Sequence, residues 1–284
     1  MVSILTPSLD QAAWLADNLR SVACQTYPFV EHVVMDGGST DGSVEILEGA
    51  GAGVTWRSEP DKGQSAAVNK AFRASSGEII GWVNSDDAYF DCNVIEDVVA
   101  YFVDHPDVDV VFGHGAQIAE DGTIIWMIWV PQFSPRLLRI VNFIGQPVAF
   151  VRRSALDEPM LDETYDFAMD YELWLRLSAK GCRFHRIDRV TAVDRHQRGR
   201  KGVTMEDVLH SDIDRLARTH GRGYPPGKRI LSWGFYTWRR AMGVLLIPRI
   251  PRDLAFSRRS TSRRSVFWRQ AVVWWRRWPY DYPQ

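Results

Sequence analysis

The sequence predicts an α/β fold: a mostly parallel sheet with helices on both faces, followed by a basic helical C-terminal extension. Three observations predict it. Short apolar runs alternate with stretches of helical periodicity through the first 113 residues, polar and acidic residues punctuate the ends of those runs, and the composition breaks sharply near residue 222. Of the 284 residues 45% are apolar and 24% charged, enough to build one large core or two modest ones and unlike a disordered chain.

VSIL (2–5) reads as a buried strand, and AAWLADNLRSVACQ (12–25) as a helix with Asp10 as its candidate cap. EHVVMD (31–36) is the second strand; GSTDGSVEIL (38–47) is a Gly-rich turn leading into a short helix. GVTWRS (53–58), EIIGWVN (78–84) and VDVVFG (108–113) continue the strands, with helices over 63–75 and 92–105 between them. Strands separated by helices of this length imply right-handed crossovers, and the ligands of such sheets bind beyond the carboxyl ends of the strands. Beyond Gly113 the pattern changes. Residues 115–130 read as a hairpin with a tight primed turn at Asp121-Gly122, 146–156 as a strand entering a turn, and 170–181 as an amphipathic helix ending at Gly181. Residues 182–187 and 190–194 read as two closing strands, 204–220 as a polar-faced helix, and GRGYPPGK (221–228) as a linker.

A net charge of −1 conceals an asymmetry: residues 222–284 hold 14 Lys and Arg against 2 Asp and Glu, or +12, which leaves −13 for residues 1–221. The same segment has six of the twelve tryptophans. Three cysteines, Cys24, Cys92 and Cys182, lie far apart without metal-ligand spacing, so reduced thiols in a cytosolic setting are expected and a disulfide framework is not. MVSILTPS starts a strand at once and lacks a basic segment with an apolar run, so no signal peptide is expected.

The acidic punctuation carries the chemistry. Asp36 ends the second strand, the Glu59–Gly63 turn follows the third, and the adjacent pair Asp86 and Asp87 ends the fourth. Like charges at close range raise a pKa unless something positive compensates, and a divalent cation would do so. Mg²⁺ or Mn²⁺ suits hard oxygen ligands and completes its shell with phosphates and water. Asp36 at a strand tip suits hydrogen bonds to a base or ribose, and the neighbouring helix N-terminus favours phosphate. Each feature taken singly also reads as a solvated turn or a helix cap.

Five stretches in order, VSILTPSLDQAAWLADNLRSVACQTYP, EHVVMDGGSTDGSVEIL, SEPDKGQSAAVNKAF, GEIIGWVNSDDAYF and AMDYELWLRL, make residues 1–200 resemble the inverting family 2 glycosyltransferases of GT-A fold. The resemblance implies a catalytic domain over 1–220, with a donor-nucleotide half (1–113) and an acceptor half (114–220). It implies that Thr6, Ser8, Asp36, Gly63 and Asp86 surround a nucleoside-diphosphate sugar, and that Asp87 holds Mn²⁺ or Mg²⁺ with His196 completing the metal shell. Asp170 takes the place of the general base that deprotonates an acceptor hydroxyl. Asn84 and Met169 stand where many relatives carry further acids. Glu172 is a lesser acceptor-site candidate or an i, i+4 partner of Arg176. Gln146 and Pro147 fall where relatives begin the acceptor-facing segment; Arg198, Arg200 and Lys201 either cover the donor phosphates or form a solvated face. Trp82, Trp126 and Trp129 read more readily as core than as sugar platforms.

Residues 229–284 contain no uninterrupted apolar run of spanning length, since Arg239, Arg240, Arg249 and Arg252 break it. Two amphipathic helices, about 230–247 and 265–278, fit an anionic membrane surface, with self-association or packing on the catalytic domain as alternatives and nucleic acid disfavoured. The expected protein is a metal-dependent inverting transferase, cytoplasmic and peripheral on the inner face of the plasma membrane. It acts on a glycan or lipid-linked acceptor in surface polysaccharide or glycolipid synthesis. A non-catalytic sugar-nucleotide or membrane-binding relative and a nucleotidyltransferase are the competing readings; the latter expects a Gly-rich phosphate loop that LTPSLDQ lacks.

Overall fold

β1 (Val2–Ser8) is buried along its whole length because it has neighbours on both sides: it pairs in parallel with β2 (Val30–Asp36) and with β4 (Ile79–Trp82). β2 in turn pairs in parallel with β3 (Val54–Ser58). The computed structural model describes residues 1–197, 206–220, 228–250, 254 and 263–272. β1 runs three residues beyond the VSIL expected from sequence and passes through Pro7. The β4 register stops at Leu5, so at Pro7 a ladder is needed on the β2 side only, and a missing N–H is tolerated there.

Helices cover both faces of this parallel half. Val33 and Met35 of β2 join the main core with Val68 and Ala71 of α3 (Gln64–Ala74). Val34, between them, points the other way into a smaller cluster with Leu15 and Leu19 of α1 (Ala12–Ala23) and Leu47 of α2 (Ser43–Glu48). Asp10 does not cap α1. The residue before the helix is Gln11, Asp10 sits at φ 50°, and Oδ2 of Asp41 accepts the Ala12 N–H at 2.8 Å, a partner from the next loop that local sequence does not reveal.

The second half is antiparallel where it joins the first. β8 (Ala149–Arg152) pairs antiparallel with β4 and with β6 (Val110–Ile118); β6 pairs in parallel with β9 (Phe184–Arg195) and antiparallel with β7 (Ile124–Ile128), and β5 (Ala88–Tyr89) pairs antiparallel with β9. The expected parallel order therefore holds for the first four strands, while four of the eight described pairings over the whole sheet are antiparallel. The hairpin forms, but only Gly122 takes a positive φ and Ala119 closes onto Thr123, so the turn is wider than a primed two-residue turn. The two expected closing strands are one, β9, with register shifts near the expected gap between them.

Past α4 (Val94–Asp104) and the short α5 (Pro135–Leu138), α6 (Met169–Ala179) matches the helix expected at 170–181, with Gly181 at φ 83° behind it. α7 (Glu206–Thr219) follows. The proposed linker lies outside the described residues except Lys228, which begins α8 (Lys228–Gly243). α8 and α9 (Arg263–Val272) pack on β7. Gln270 accepts from the Met127 N–H at 3.0 Å and donates to the Met127 carbonyl at 3.1 Å, doing for that strand what a ladder partner would do. Gly243 permits this approach, since a Cβ there would overlap Met127 O and Gln270 Nε2. No described helix is long and apolar enough to cross a membrane.

The cysteine expectation is corrected. Cys24 and Cys92 form a disulfide across 68 residues, with Cα atoms 5.2 Å apart, and Cys182 is free. The end of α1 meets the loop before α4, where Thr26 N–H donates to Cys92 O and the Gln25 amide to Asp91 O, both at 2.8 Å. That proximity is tertiary, so linear spacing carried no trace of it. The argument from reduced thiols to a cytosolic compartment falls with it.

Candidate active site

The tips of the first three parallel strands align: Ser8 registers with Asp36, and Asp36 with Ser58. Asp36 is 1% exposed and accepts the N–H groups of Gly38 and Ser39, at 3.1 and 2.8 Å, and the hydroxyls of Ser39 and Ser58. It therefore shapes the turn that follows β2 while standing at the tip. Beside it Ser8 Oγ is buried without a partner among the described residues, an unsatisfied group of the kind a ligand completes. Thr6 is placed otherwise. Its hydroxyl lies 3.0 Å from His32 Nε2 inside the sheet, with no exposure, and burial pushes the His32 imidazole down to about 3, so the ring is neutral. This takes the Thr6 side chain out of the set expected to face a nucleoside. Gly63, just before α3, holds φ 113°, a conformation that resists a side chain, and donates to Asp61 Oδ1 at 2.8 Å.

The Asp pair sits on a tightly held turn after β4. Asn18 of α1, fully buried, donates to the carbonyls of Asn84 and Asp87 at 2.9 and 3.1 Å. Asp87, 4% exposed, accepts the Arg195 N–H on Oδ1 at 3.0 Å and the Asn84 amide on Oδ2 at 3.4 Å. Asp86 is half-buried and accepts the Gln197 amide at 3.2 Å. Arg195 was not anticipated. It is 1% exposed, and its guanidinium donates to Asp86 O at 2.9 Å, Glu120 O at 2.8 Å and Asp17 Oδ2 at 2.9 Å, a fixed positive charge on the turn that carries the Asp pair. An arginine closing the apolar run VTAVDR was the signal for it. His196 lies between Arg195 and Gln197, both of which bond to the pair, and its N–H is held by Ile118 O at 2.7 Å.

The described residues contain no cluster of three His, Cys, Asp or Glu side chains able to hold a metal by themselves. The donor set fits Mg²⁺ or Mn²⁺ in another way: one or two carboxylates in a polar turn, with the remaining positions supplied by a phosphorylated ligand and water.

Asp170 lies in the first turn of α6 and does not cap it; the residue before the helix is Ala168. The N-terminus is held instead by buried Asp212 of α7, whose Oδ2 accepts the N–H groups of Asp166, Phe167 and Ala168 at 3.2, 2.8 and 3.1 Å. Asp170 itself accepts the Tyr171 N–H at 2.7 Å and the Asn142 amide at 3.1 Å. Dense protein surroundings strip its hydration and push the carboxyl up to about 6, against the pull of those two donors. A carboxylate with that value accepts a proton readily near neutral pH. Glu172 takes the more ordinary of its two expected roles: it is 5% exposed and ion-paired with Arg176 at 3.0 Å.

The loop after α5 ties the two carboxylate groups together. Asn142 reaches Asp170, and four residues on Gln146 donates to the carbonyl of Trp82, the last residue of β4. Trp82 is 4% exposed and donates to Asn84 Oδ1 at 3.0 Å, so it is a core residue supporting the turn. Trp129 stacks on His114 and Trp126 lies under Arg240, so neither stands as a free platform. Arg198, Arg200 and Lys201 lie outside the described residues. Asn142 and Asp212 carry no motif in the sequence.

Comparison with known proteins agrees with this geometry. A family model described as glycosyl transferase family 2 matches residues 3–158. An uncharacterized glycosyltransferase of Mycobacterium tuberculosis is 33% identical over 116 residues, 40% of this chain and 44% of the relative, so the match spans less than half of that protein. Among solved structures, residues 1–349 of Staphylococcus aureus TarS in complex with UDP-GlcNAc align over 88% of this chain and 76% of that one, with 18% identity and a TM-score of 0.60. The mannosyltransferase PcManGT of Pyrobaculum calidifontis, in complex with GDP-Man and Mn²⁺, aligns over 96% and 79%, with 19% identity and a TM-score of 0.60. At these identities the likeness is one of fold.

Proposed function

The chain belongs to glycosyl transferase family 2, and on that premise we propose that it is a metal-dependent, inverting glycosyltransferase. It moves a sugar from a nucleoside diphosphate to a hydroxyl acceptor in the synthesis of a cell-surface polysaccharide or glycolipid. The observation that carries this reading is the half-buried Asp170, its carboxyl raised to about 6 and tied through the 142–146 loop to the strand end that bears Asp86 and Asp87. The sugar-nucleotides bound by the structural neighbours, one of them with Mn²⁺, support the donor class.

Ser8 and Asp36 face the nucleoside at the tips of β1 and β2, and Gly63 lets the backbone approach it. Asp86 lies beside the ribose. Asp87, with His196, would hold Mg²⁺ or Mn²⁺, which supplies charge neutralisation for a leaving diphosphate. Asp170 takes the proton of the acceptor hydroxyl as that oxygen forms a bond to the anomeric carbon. The bond from that carbon to the diphosphate oxygen breaks at the same time, and its electron pair leaves with the nucleoside diphosphate. One displacement inverts the anomeric centre. Arg195 keeps the turn rigid, and Asn142 and Tyr171 N–H fix the base.

The exposed apolar residues of α8, Ile230, Leu231 and Trp233, together with the excess of arginine in the extension, support docking on an anionic membrane surface. Calorimetry with UDP, GDP and dTDP in the presence of Mn²⁺, followed by a sugar-nucleotide hydrolysis panel on wild type and Asp170→Asn, tests the reaction. A transferase keeps nucleotide binding in the variant and loses turnover; a non-catalytic relative shows binding with no turnover in either protein.

A further inference from the structure

We infer that Asn84 is the positioning residue that sets Asp87 for its cation, and that Gln64, the first residue of α3, orients Asn84 for that task. The inference rests on the reading of the Asp86–Asp87 turn as the seat of a cation and a nucleoside diphosphate, and it deepens that reading by tying cation binding to the loop that carries Gly63.

Hydrogen bonds around the Asn84 side chain permit one orientation of its amide. The Trp82 indole N–H reaches Oδ1 at 3.0 Å, and an indole nitrogen can only donate, so the atom it meets is the oxygen. The Gln64 amide donates to the same Oδ1 at 2.7 Å. Two donors fill the acceptor capacity of a carbonyl oxygen, which leaves Asn84 Oδ1 nothing to offer a cation. Its Nδ2 is turned instead toward Oδ2 of Asp87, at 3.4 Å, while the Arg195 N–H holds Oδ1 of the same carboxylate at 3.0 Å. Asp87 is therefore gripped from two sides by donors on different segments. If the Asn84 amide turned over, its oxygen would face the carboxylate and repel it; Trp82 and Gln64 together prevent that.

Separate parts of the fold converge on Asn84. Its carbonyl accepts the Asp87 N–H at 3.0 Å and the Asn18 amide at 2.9 Å, which closes the turn against α1. Trp82, 4% exposed at the end of β4, takes the Gln146 amide on its carbonyl. Gln64, half-buried, follows directly on Gly63 with its φ of 113°. A change in the Gly63 loop thus reaches Asp87 through two side-chain hydrogen bonds. Mg²⁺ demands near-octahedral geometry, and hydrogen bonds that orient a ligating group are typically worth about 10–100-fold in metal affinity. A role for Gln64 confined to anchoring α3 predicts lost stability without that metal-specific effect.

Binding, not turnover, is the readout. Calorimetry of the full-length protein with UDP, GDP and dTDP, each with and without Mn²⁺, gives the factor by which Mn²⁺ tightens the nucleotide that binds best. Asn84→Ala is expected to cut that factor roughly tenfold and Gln64→Leu about fivefold, while affinity without metal stays within about twofold. The double variant should match Asn84→Ala alone, because Gln64 acts through Asn84. Gln64→Glu adds a negative charge beside the carboxylate turn and would tighten Mn²⁺ binding if charge alone mattered. It is expected to loosen binding as Gln64→Leu does, since a carboxylate cannot donate to Oδ1. Thermal melts monitor folding, and the two Gln64 variants decide the matter if Asn84→Ala unfolds. Additive losses in the double variant, tighter Mn²⁺ binding by Gln64→Glu, or an unchanged factor in either single variant overturns the inference. Wild type that binds no nucleotide, or binds it without Mn²⁺ dependence, overturns the proposed function and the inference with it, a result distinct from the variant outcomes.

Discussion

The Asn142 side-chain amide donates to Oδ2 of Asp170 at 3.1 Å while the Tyr171 N–H occupies Oδ1 at 2.7 Å, so the carboxylate is oriented by two donors from different segments. Both donors favour the charged form and oppose the burial that raises it. Asn142→Leu removes one of them. Its expected effects are an acid limb of kcat/KM moved upward from about 6 and a kcat lowered about tenfold, the worth of one hydrogen bond to a charged group at ~1.5 kcal/mol. A pH–rate profile of the variant checks this; an unmoved limb means that Asn142 does not touch the base's ionisation.

Asp170 should make the fold less stable as the pH rises. Its folded pKa of about 6 exceeds the ordinary value of 3.8, so the folded state holds a proton that the unfolded state has released between these values. Stability is therefore greatest below 3.8 as far as this group is concerned, and it falls as pH rises to about 6. Asp170→Asn is expected to stabilise the protein above pH 6 by about 1–3 kcal/mol and to be near neutral at pH 4, while turnover drops by roughly 10²–10⁴. Urea titrations at the two pH values, set beside the rate, read both effects.

Arg195 bridges α1, the Asp86–Asp87 turn and the β6–β7 connection from a position 1% exposed. Arg195→Met leaves buried carbonyls without their donor and leaves Asp17 with Arg20 as its remaining cation. A loss of about 3 kcal/mol is expected, with weaker Mn²⁺-dependent nucleotide binding because the Asp86 carbonyl, and with it the Asp86–Asp87 turn, loses the guanidinium that holds it. Arg195→Lys restores charge but cannot reach three partners, so it recovers stability only in part. Equal nucleotide affinity in wild type and Arg195→Met would remove Arg195 from the site.

The outward face of α8 offers a clean test of membrane docking. Deleting the extension would strip the cover from β7, so point changes are preferable. Ile230→Gln with Trp233→Gln, both sites more than half exposed, should leave the melting temperature within a few degrees and reduce sedimentation with anionic vesicles severalfold. Unchanged pelleting would remove the lipid surface as a partner.

The strand tips were legible because position along a parallel strand follows from the alternation of apolar runs and helices. Asp36, Asp86 and Asp87 fell at the ends of β2 and of β4's turn without any tertiary knowledge, and the amphipathic period of α6 placed Asp170 in its first turn. Thr6 misled because two residues back along a strand is the difference between a ligand-facing tip and the interior; its hydroxyl meets His32 instead. The cysteine pair, the Asp41 cap and the antiparallel joining of β8 all depend on partners far away in sequence.

By itself, the sequence determined the order of strands and helices, the acidic strand ends and the basic, tryptophan-rich character of the extension, since periodicity and composition are local properties. Tertiary structure decided which charges are neutralised. Arg195 closes on Asp17 and the carboxylate turn, and Asn142 and Asp212 set the head of α6. The physical reason is that desolvation and hydrogen-bond pairing depend on distances across the fold, which no linear spacing encodes.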